Sequence, residues 1–223
     1  MRAEDETANA SVTAGQAVYS PLVLSVYDIL VLGFSNHVLW RCPTAELRAL
    51  YDRNVSARHL DIGVGTGYFL DRARWPVSAP AITLLDLNAN SLAAAARRIE
   101  RYAPKTVAAD ALQPLPDLGR FGSVGLCYLL HCLPGAIPSK AAVFNHVRPL
   151  LAPGARVFGA TILQGNAPRS WAAQRLMDTY NSKGIFSNRD DRVEDLESAL
   201  KSRFKDVRVD LKGAVALFEA KAA

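Results

Sequence analysis

Short apolar runs and longer amphipathic stretches alternate along the chain from residue 58 onwards. Short apolar runs between turn residues are typical of buried strands, and apolar positions three or four residues apart are typical of helices. The predicted strands are 58–62, 81–86, 105–109, 121–130, 205–211 and 214–220. The segment 151–163 is predicted to supply a Pro-Gly turn and a further strand, the fifth in chain order. The predicted helices are 67–75, 89–103, 136–151, 169–182 and 190–203. This alternation indicates an α/β fold, a doubly wound and mostly parallel sheet with helices on both faces.

The ends of these elements carry signals of their own. Asn88 or Asn90 is placed to cap helix 89–103, and Asp190 or Asp191 to cap helix 190–203. The last two strands are joined by Lys212-Gly213, which predicts a tight hairpin and an antiparallel final strand. The buried face predicted for helix 136–151 consists of Ala141, Phe144, Val147 and Leu151.

The chain of 223 residues is long enough for one domain with a sizeable core. Residues 1–15 are polar and are predicted to be disordered, without the pattern of a secretory signal. Residues 16–56 are predicted to form a helical lid, since 18–33 is too apolar for a free tail. Residues 57–223 are predicted to form the main domain, with an insertion near 164–188.

The most specific motif is HLDIGVGTGYFLD, which begins at residue 59. An apolar run containing one acid, Asp61, leads into three glycines at two-residue spacing, Gly63, Gly65 and Gly67. The pattern predicts a buried strand, a tight turn and a helix N-terminus, with backbone approaching a ligand closely. The dinucleotide fingerprint G-x-G-x-x-G does not fit, because Tyr68 occupies its third glycine position. A nicotinamide oxidoreductase is therefore disfavoured.

Two further acids end the next two predicted strands. Asp86 and Asp110 follow Asp61 at intervals of about 25 residues, one strand-helix unit each. In a doubly wound sheet an acid at the end of the second strand can accept hydrogen bonds from both ribose hydroxyls of a nucleotide.

An acid in the strand followed by G-x-G-x-G, together with the terminal hairpin, resembles the class I S-adenosylmethionine (SAM) methyltransferases. The resemblance covers residues 57–221. It implies a seven-stranded, mostly parallel sheet with an antiparallel hairpin strand at the end. It also implies SAM as cofactor and S-adenosylhomocysteine (SAH) as product.

The resemblance assigns cofactor contacts to individual residues. Asp61 and the three glycines would hold the methionine end, and Asp86 the ribose. Leu87 would pack on the adenine, and Asp110 and Ala111 would contact its edge. Residues expected near the sulfonium are Cys127 and Tyr128 at the end of the fourth strand, and Tyr19 and Tyr27 in the lid, where an aromatic ring favours a cation.

The segment CYLLHCLPG after the fourth strand bears on the methyl acceptor. Many methyltransferases of nucleic-acid or protein amines carry [DNS]-P-P-[YFW] at this place, and its absence argues against base methylation. The segment looks like that of small-molecule methyltransferases. His131 is the first candidate for a general base or a substrate orienter, and His37 is the second. His59 and His146 are predicted to be structural.

Substrate recognition is predicted outside the core sheet. Trp40 and Arg41 follow the apolar part of the lid, and Arg41 would suit an anionic substrate group. The insertion mixes aromatic and hydrogen-bonding residues, as pockets for small organic molecules do, and its candidates are Trp171, Tyr180 and Phe186. The competing interpretations are plain packing of the lid, and a surface helix or homodimer contact for 169–182.

Composition narrows the classes of function. Half of the residues are hydrophobic, but no run approaches the roughly 20 apolar residues of a membrane helix. Three cysteines without metal-ligand spacing suit a reducing cytoplasm and predict no metal site. The net charge is +5, but the basic residues are scattered, which does not indicate nucleic-acid binding.

These patterns predict a cytoplasmic SAM-dependent methyltransferase acting on a small, rather apolar metabolite in specialised metabolism. Oxygen is the favoured acceptor, with nitrogen and carbon open. Two alternatives keep the fold: a SAM-binding regulator or scaffold without methyl transfer, and an enzyme with non-methyl chemistry such as cyclisation.

Overall fold

The computed structural model describes residues 36–165 and 167–223. The predicted contacts of Tyr19 and Tyr27, the disorder predicted for 1–15 and the lid predicted before residue 36 lie outside these residues. The strands are β1 Arg58–Ile62, β2 Ala81–Asp86, β3 Lys105–Ala108, β4 Phe121–Cys127, β5 Leu151–Ile162, β6 Lys205–Lys212 and β7 Val215–Lys221. The helices are α1 Thr44–Asn54, α2 Tyr68–Arg72, α3 Ala89–Arg98, α4 Ile137–Lys140, α5 Ala142–Val147, α6 Trp171–Ser182 and α7 Val193–Lys201.

Within the described residues, one seven-stranded sheet has the order β3-β2-β1-β4-β5-β7-β6. Strands β1 to β5 pair in parallel, whereas β7 is inserted antiparallel between β5 and β6. The predicted terminal hairpin and mostly parallel sheet are confirmed. The strand order reverses between β1 and β4, and in doubly wound sheets ligands bind beside such a reversal.

Two apolar layers cover the two faces of the sheet. On one face, α4, α5 and α7 bury residues such as Phe144 and Leu200 against Val124 and Phe218. On the other face, α1, α2, α3 and α6 bury residues such as Leu47 and Met177. Burial of side chains on both faces is what makes a parallel sheet stable. Within the described part of the predicted lid, helix α1 packs against β5. A domain division at residue 57 stays a prediction.

Two helices are shorter or more broken than predicted. The predicted helix 67–75 ends at Arg72, because Ala73 has an extended backbone with a ψ of 142°. The Trp75 indole donates to the Leu70 carbonyl at 3.2 Å, one of the carbonyls left unpaired at the helix end. The predicted helix 136–151 is divided into α4, α5 and a 3₁₀ turn at Arg148–Leu150, where Pro149 lacks an N–H. The predicted apolar face is nevertheless buried throughout, at Ala141, Phe144, Val147 and Leu151.

Strand and helix ends differ by a few residues elsewhere. Strand 121–130 ends at Cys127, because Tyr128 has a φ of 59° that no strand residue adopts. Helix 89–103 ends at Arg98 before a 3₁₀ turn at Glu100–Tyr102. The predicted Pro153-Gly154 turn lies inside β5, at an irregularity where the register of β5 with β4 shifts.

One predicted helix cap is confirmed and the other is wrong. The Asn88 side chain accepts hydrogen bonds from the N–H groups of Asn90 and Ser91 and caps α3. Helix α7, by contrast, begins after Arg192, and no side chain in the described part of the chain caps it. Asp191, a predicted cap, is fully buried and pairs with Lys140 at 2.5 Å. A buried ammonium is a stronger partner for a carboxylate than an exposed helix end.

Candidate active site

A groove of about 1300 Å³, its open mouth included, runs along the carboxyl ends of β1 to β4. Parallel strands bring their carboxyl ends to one edge of the sheet, so residues far apart in the chain meet there. Every predicted cofactor residue that the structure describes lines this groove: Asp61, Gly63, Gly65, Gly67, Asp86, Leu87, Asp110, Ala111, Cys127 and Tyr128. The individual contacts of these residues with a cofactor stay predictions.

Two glycines of the turn after β1 have different structural tasks. Gly65 has a φ of 52°, and among the described residues an added Cβ would meet no atom within 4 Å, so the described part of the groove floor is open at this place. Gly67 has a φ of 72°, and its added Cβ would lie 3.0 Å from the Ala95 Cα. The backbone turn is therefore exposed to a ligand on one side and packed directly on α3 on the other.

Alanine substitutions separate these two tasks. Gly67→Ala is expected to lower the free energy of unfolding by about 2–3 kcal/mol, because left-handed strain adds to a clash with α3 backbone. Gly65→Ala carries the strain alone, about 1 kcal/mol, but its methyl group enters the groove and weakens cofactor binding. Urea denaturation and calorimetry measure the two effects. Equal destabilisation by the two variants would contradict this assignment.

Asp86 and Asp110 present carboxylates at the ends of β2 and β3. Asp86 accepts a hydrogen bond from the Asn88 N–H at 2.8 Å. Burial raises the pKa of Asp86 above its usual value, and the N–H groups of Asn88, Val64 and Gly65 act in the opposite sense. Asp110 accepts from the Leu112 N–H at 2.9 Å. These backbone donors orient both carboxylates at the groove.

Asp61 on β1 lies deeper and is 2% exposed. Its Oδ2 accepts a hydrogen bond from the Tyr51 hydroxyl at 2.9 Å and lies 3.2 Å from His59 Nε2. Tyr51 also lines the groove. Asp61, Asp86 and Asp110 make the described lining acidic, and no Lys, Arg or His belongs to it. Such a lining suits a ligand that carries positive charge, as SAM does at its sulfonium and ammonium.

Tyr128 holds an uncommon backbone conformation at the groove wall. Its N–H donates to the Ala160 carbonyl at 2.7 Å, and its hydroxyl donates to Asn36 Oδ1 at 2.9 Å. These bonds fix the residue despite its φ of 59° and connect the wall to the segment before α1. Cys132 also lines the groove. Burial raises the pKa of Cys127 above its usual value and raises the pKa of Cys132 to about 12, so both side chains are thiols.

The two catalytic candidates lie behind or beside the described lining. His131 is 4% exposed, and burial, with the neighbouring Lys140, lowers its pKa to about 3. Its Nδ1 accepts a hydrogen bond from the Ile162 N–H at 3.3 Å, so the neutral ring carries its proton on Nε2. His37 is exposed in the short helical turn 36–39. Neither histidine lines the described groove.

The predicted substrate residues fall into two groups. Phe186 is buried, and its ring centroid lies 4.5 Å from His131, 5.0 Å from Tyr180 and 6.2 Å from Trp40. This aromatic cluster stands behind the groove wall, where Ile185 contacts the groove directly. The second group, Trp171 and Arg41, is exposed, and the structure does not bring it to the groove.

A buried polar network attaches the segment that carries this cluster to the sheet. Lys140 Nζ donates to the Ser187 carbonyl and to Asp191 Oδ2, each at 2.5 Å. Asn188 Nδ2 donates to the Ile162 carbonyl at 2.9 Å, and Asn181 Nδ2 donates to Asn188 Oδ1 at 2.8 Å. The segment after Ile185 is therefore hydrogen-bonded to α4 through Lys140, to α6 through Asn181 and to β5 through the Ile162 carbonyl.

Several residues that line the groove carry no signal in the sequence that marks them as site residues. Tyr51 belongs to the apolar stripe of α1, and nothing local distinguishes a core tyrosine from one that contacts a site. Leu133 and Pro134 lie in the segment CYLLHCLPG and Ile185 in the predicted insertion, but no pattern distinguishes these three residues from their neighbours. Among residues 36–165 and 167–223, no group of His, Cys, Asp and Glu could hold a metal ion, and no helix is long and apolar enough to cross a membrane.

Comparisons with known proteins agree with this arrangement. Residues 60–157 match a family described as methyltransferase domain. The chain is 41% identical over 217 residues to the demethylluteothin O-methyltransferase of Streptomyces thioluteus, covering 97% of this chain and 94% of that protein. It is 40% identical over 209 residues to the physcion biosynthesis cluster O-methyltransferase of Aspergillus chevalieri, covering 92% and 94%.

Solved structures show the same fold at low sequence identity. The DhpI–SAH complex has a TM-score of 0.69 at 16% identity, covering 96% of this chain and 98% of that one. The N-methyltransferase NodS of Bradyrhizobium japonicum WM9, in complex with SAH, has a TM-score of 0.65 at 13% identity, with 96% and 98% covered. With relatives near 40% identity along almost its whole length, the chain belongs to the class I SAM-dependent methyltransferases of small molecules.

Proposed function

We propose that this enzyme transfers the methyl group of SAM to a hydroxyl oxygen of a small, fairly apolar metabolite in specialised biosynthesis. The main support is the 41% identity, over nearly the whole chain, to a protein named as an O-methyltransferase. A second relative is named for the biosynthesis cluster of physcion. Nitrogen and carbon acceptors are the competing outcomes of the test below.

The cofactor half of the proposal rests on the acidic end of the groove. Bound SAM supplies a methyl group that is already electrophilic, so the protein mainly has to place the acceptor in line with the carbon–sulfur bond. Asp61 and the glycine turn would hold the methionine end, and Asp86 the ribose hydroxyls. The adenine would lie among Leu87, Asp110 and Ala111.

The acceptor half rests on the groove wall formed by the segments that follow β4 and α6, which is uncharged and mostly apolar. Its described members are Tyr128, Leu129, Cys132, Leu133, Pro134 and Ile185. A charged acceptor group against this wall would lose its hydration without gaining an ionic partner. The wall therefore favours a neutral, planar or aliphatic body with a single polar group directed at the cofactor.

His131 suits the role of orienter better than that of base. A general base needs a free lone pair, but Nδ1 already accepts the Ile162 N–H, and Nε2 carries the proton. Its ring packs on Phe186, and its carbonyl accepts from the Ser187 N–H at 2.8 Å. We therefore assign His131 to positioning the wall that receives the acceptor. His37 stays the second candidate.

The purified chain with methyl-labelled SAM and matched acceptors tests the proposal. A set of apolar aromatics that differ only in one group, hydroxyl, amino or hydrogen, identifies the methylated atom by mass spectrometry and NMR. We expect label on oxygen only, and at least tenfold lower turnover when a carboxylate is added to the ring. Label on nitrogen or carbon with the hydroxyl analogue inert would overturn the oxygen assignment.

A further inference from the structure

Asp61 is the centre of a buried hydrogen-bond chain that reaches from the groove into the sheet. A buried carboxylate is unfavourable unless it is hydrogen-bonded. Tyr51 and His59 both direct their polar atoms at the same oxygen, Oδ2, at 2.9 and 3.2 Å. Oδ1 is thereby left as the oxygen of Asp61 that can receive a ligand in the groove.

His59 is held in one orientation from every side. It is fully buried, and its Nδ1 lies 2.8 Å from Ser123 Oγ on β4. Ser123 Oγ in turn accepts a hydrogen bond from the Ser56 N–H at 2.9 Å. The ring stacks on Phe158 with centroids 5.8 Å apart and meets the edge of Trp75 at 5.5 Å. Both ring nitrogens are therefore engaged, and the ring cannot turn away from Asp61.

The sheet leaves space for this chain at one residue of β4. Gly125 pairs with Asp61 in the register between β1 and β4. A Cβ on Gly125 would lie 2.7 Å from Asp61 Oδ2 and 3.3 Å from His59 Cε1. The carboxylate and imidazole thus occupy the volume that a side chain would take.

Tyr51 connects the chain to the groove surface. Its ring stacks on Phe69, which also lines the groove, with centroids 5.3 Å apart and an angle of 16°. Burial, followed by the charge of Asp61, raises the pKa of Tyr51 well above its usual value. The hydroxyl consequently stays protonated and remains a donor to Asp61 over the physiological pH range.

We propose that Tyr51 and His59 are positioning residues that hold the carboxylate of Asp61 for the ammonium of the methionine part of SAM. This inference rests on the cofactor placement given under the proposed function. In this role the two residues do not touch the methyl group or the acceptor. They control the affinity for ligands that carry the amino-acid part.

Calorimetry with three ligands tests the proposal: SAM, SAH and 5′-methylthioadenosine, which lacks the amino-acid part. Tyr51→Phe removes only the hydroxyl, and we expect the Kd of SAM and of SAH to rise about tenfold, as for loss of one hydrogen bond to a charged group. The Kd of methylthioadenosine should change less than twofold. His59→Leu should act in the same direction and at least as strongly.

Conservative and control variants separate positioning from general damage to the fold. His59→Gln keeps an N–H near Nε2 and should restore SAM affinity to within about threefold of wild type. Tyr102→Phe makes the same chemical change away from Asp61 and should leave all three Kd values unchanged. Acceptor KM should stay within about twofold in Tyr51→Phe while the KM of SAM rises.

Two results would overturn the proposal. The first leaves the proposed cofactor placement intact, and the second overturns that placement too. If wild type binds SAM and Tyr51→Phe binds it equally well, or loses affinity for methylthioadenosine to the same extent, the positioning roles are wrong. If the folded wild type binds neither SAM nor SAH, the cofactor placement fails together with this inference.

Discussion

Lys140→Met is expected to lower the free energy of unfolding by about 3–5 kcal/mol at pH 8, because it leaves a buried carboxylate without its counter-charge. Lys140 and Asp191 are both fully buried, and Asp191 Oδ1 has no hydrogen-bond partner among the described residues. For a chain of 223 residues this corresponds to a fall in Tm of roughly 10 °C. Urea denaturation followed by circular dichroism measures the effect.

The loss should depend on pH with a definite sign. Burial raises the pKa of Asp191 to about 6 even with the Lys140 ammonium beside it, and removing that ammonium raises it further. A carboxyl whose pKa is raised in the folded state loses stability as the pH rises through the window between its unfolded and folded pKa values. In Lys140→Met this window extends above pH 6. The variant should therefore be less impaired at pH 6 than at pH 8.

Two further variants make this prediction specific. Lys201→Met breaks an exposed pair with Glu197 and should cost less than about 1 kcal/mol. The double change Lys140→Met with Asp191→Leu removes both charges and should recover much of the lost stability. If Lys140→Met alone were as stable as wild type at pH 8, the Lys140–Asp191 pair would contribute nothing to the free energy of unfolding, which would contradict the prediction.

Asp86→Ala is expected to raise the Kd of SAM about a hundredfold. Two hydrogen bonds from ribose hydroxyls to one carboxylate are worth about 3 kcal/mol together. Asp86→Asn keeps one acceptor and should weaken binding by about tenfold. Calorimetry with SAM and SAH gives both numbers, and methylthioadenosine should lose affinity to the same extent because it keeps the ribose.

Asp117→Ala serves as the matched control, since Asp117 lies in a loop away from the groove and accepts only the Gly119 N–H at 2.9 Å among its described hydrogen bonds. It should bind SAM like wild type. The Tm of Asp86→Ala should be compared, because Asp86 also accepts from Asn88. A Kd within about threefold of wild type would exclude Asp86 as the ribose ligand.

Local patterns in the sequence were sufficient for the sheet, its hairpin and the acidic groove. Asp61, Asp86 and Asp110 each end or interrupt an apolar run, and parallel strands place such positions at one edge. The glycine spacing likewise follows from one turn, in which Gly63, Gly65 and Gly67 all have a positive φ. These features depend on residues that are close together in the sequence, so they can be recognised in the sequence of this one protein.

Tertiary structure alone decided which polar groups pair with each other. Asp191 resembles a helix cap in the sequence, but it lies against Lys140, 51 residues earlier. Tyr51 resembles a core residue of α1, and its contact with Asp61 on β1 exists because the fold brings the two side chains together beside the side-chain-free Gly125. His59 precedes Asp61 by two residues on the same strand, but its other partner, Ser123, lies 64 residues later on β4. Hydrogen bonds between residues distant in sequence leave no periodic trace, since either partner alone has the pattern of an ordinary buried or surface residue.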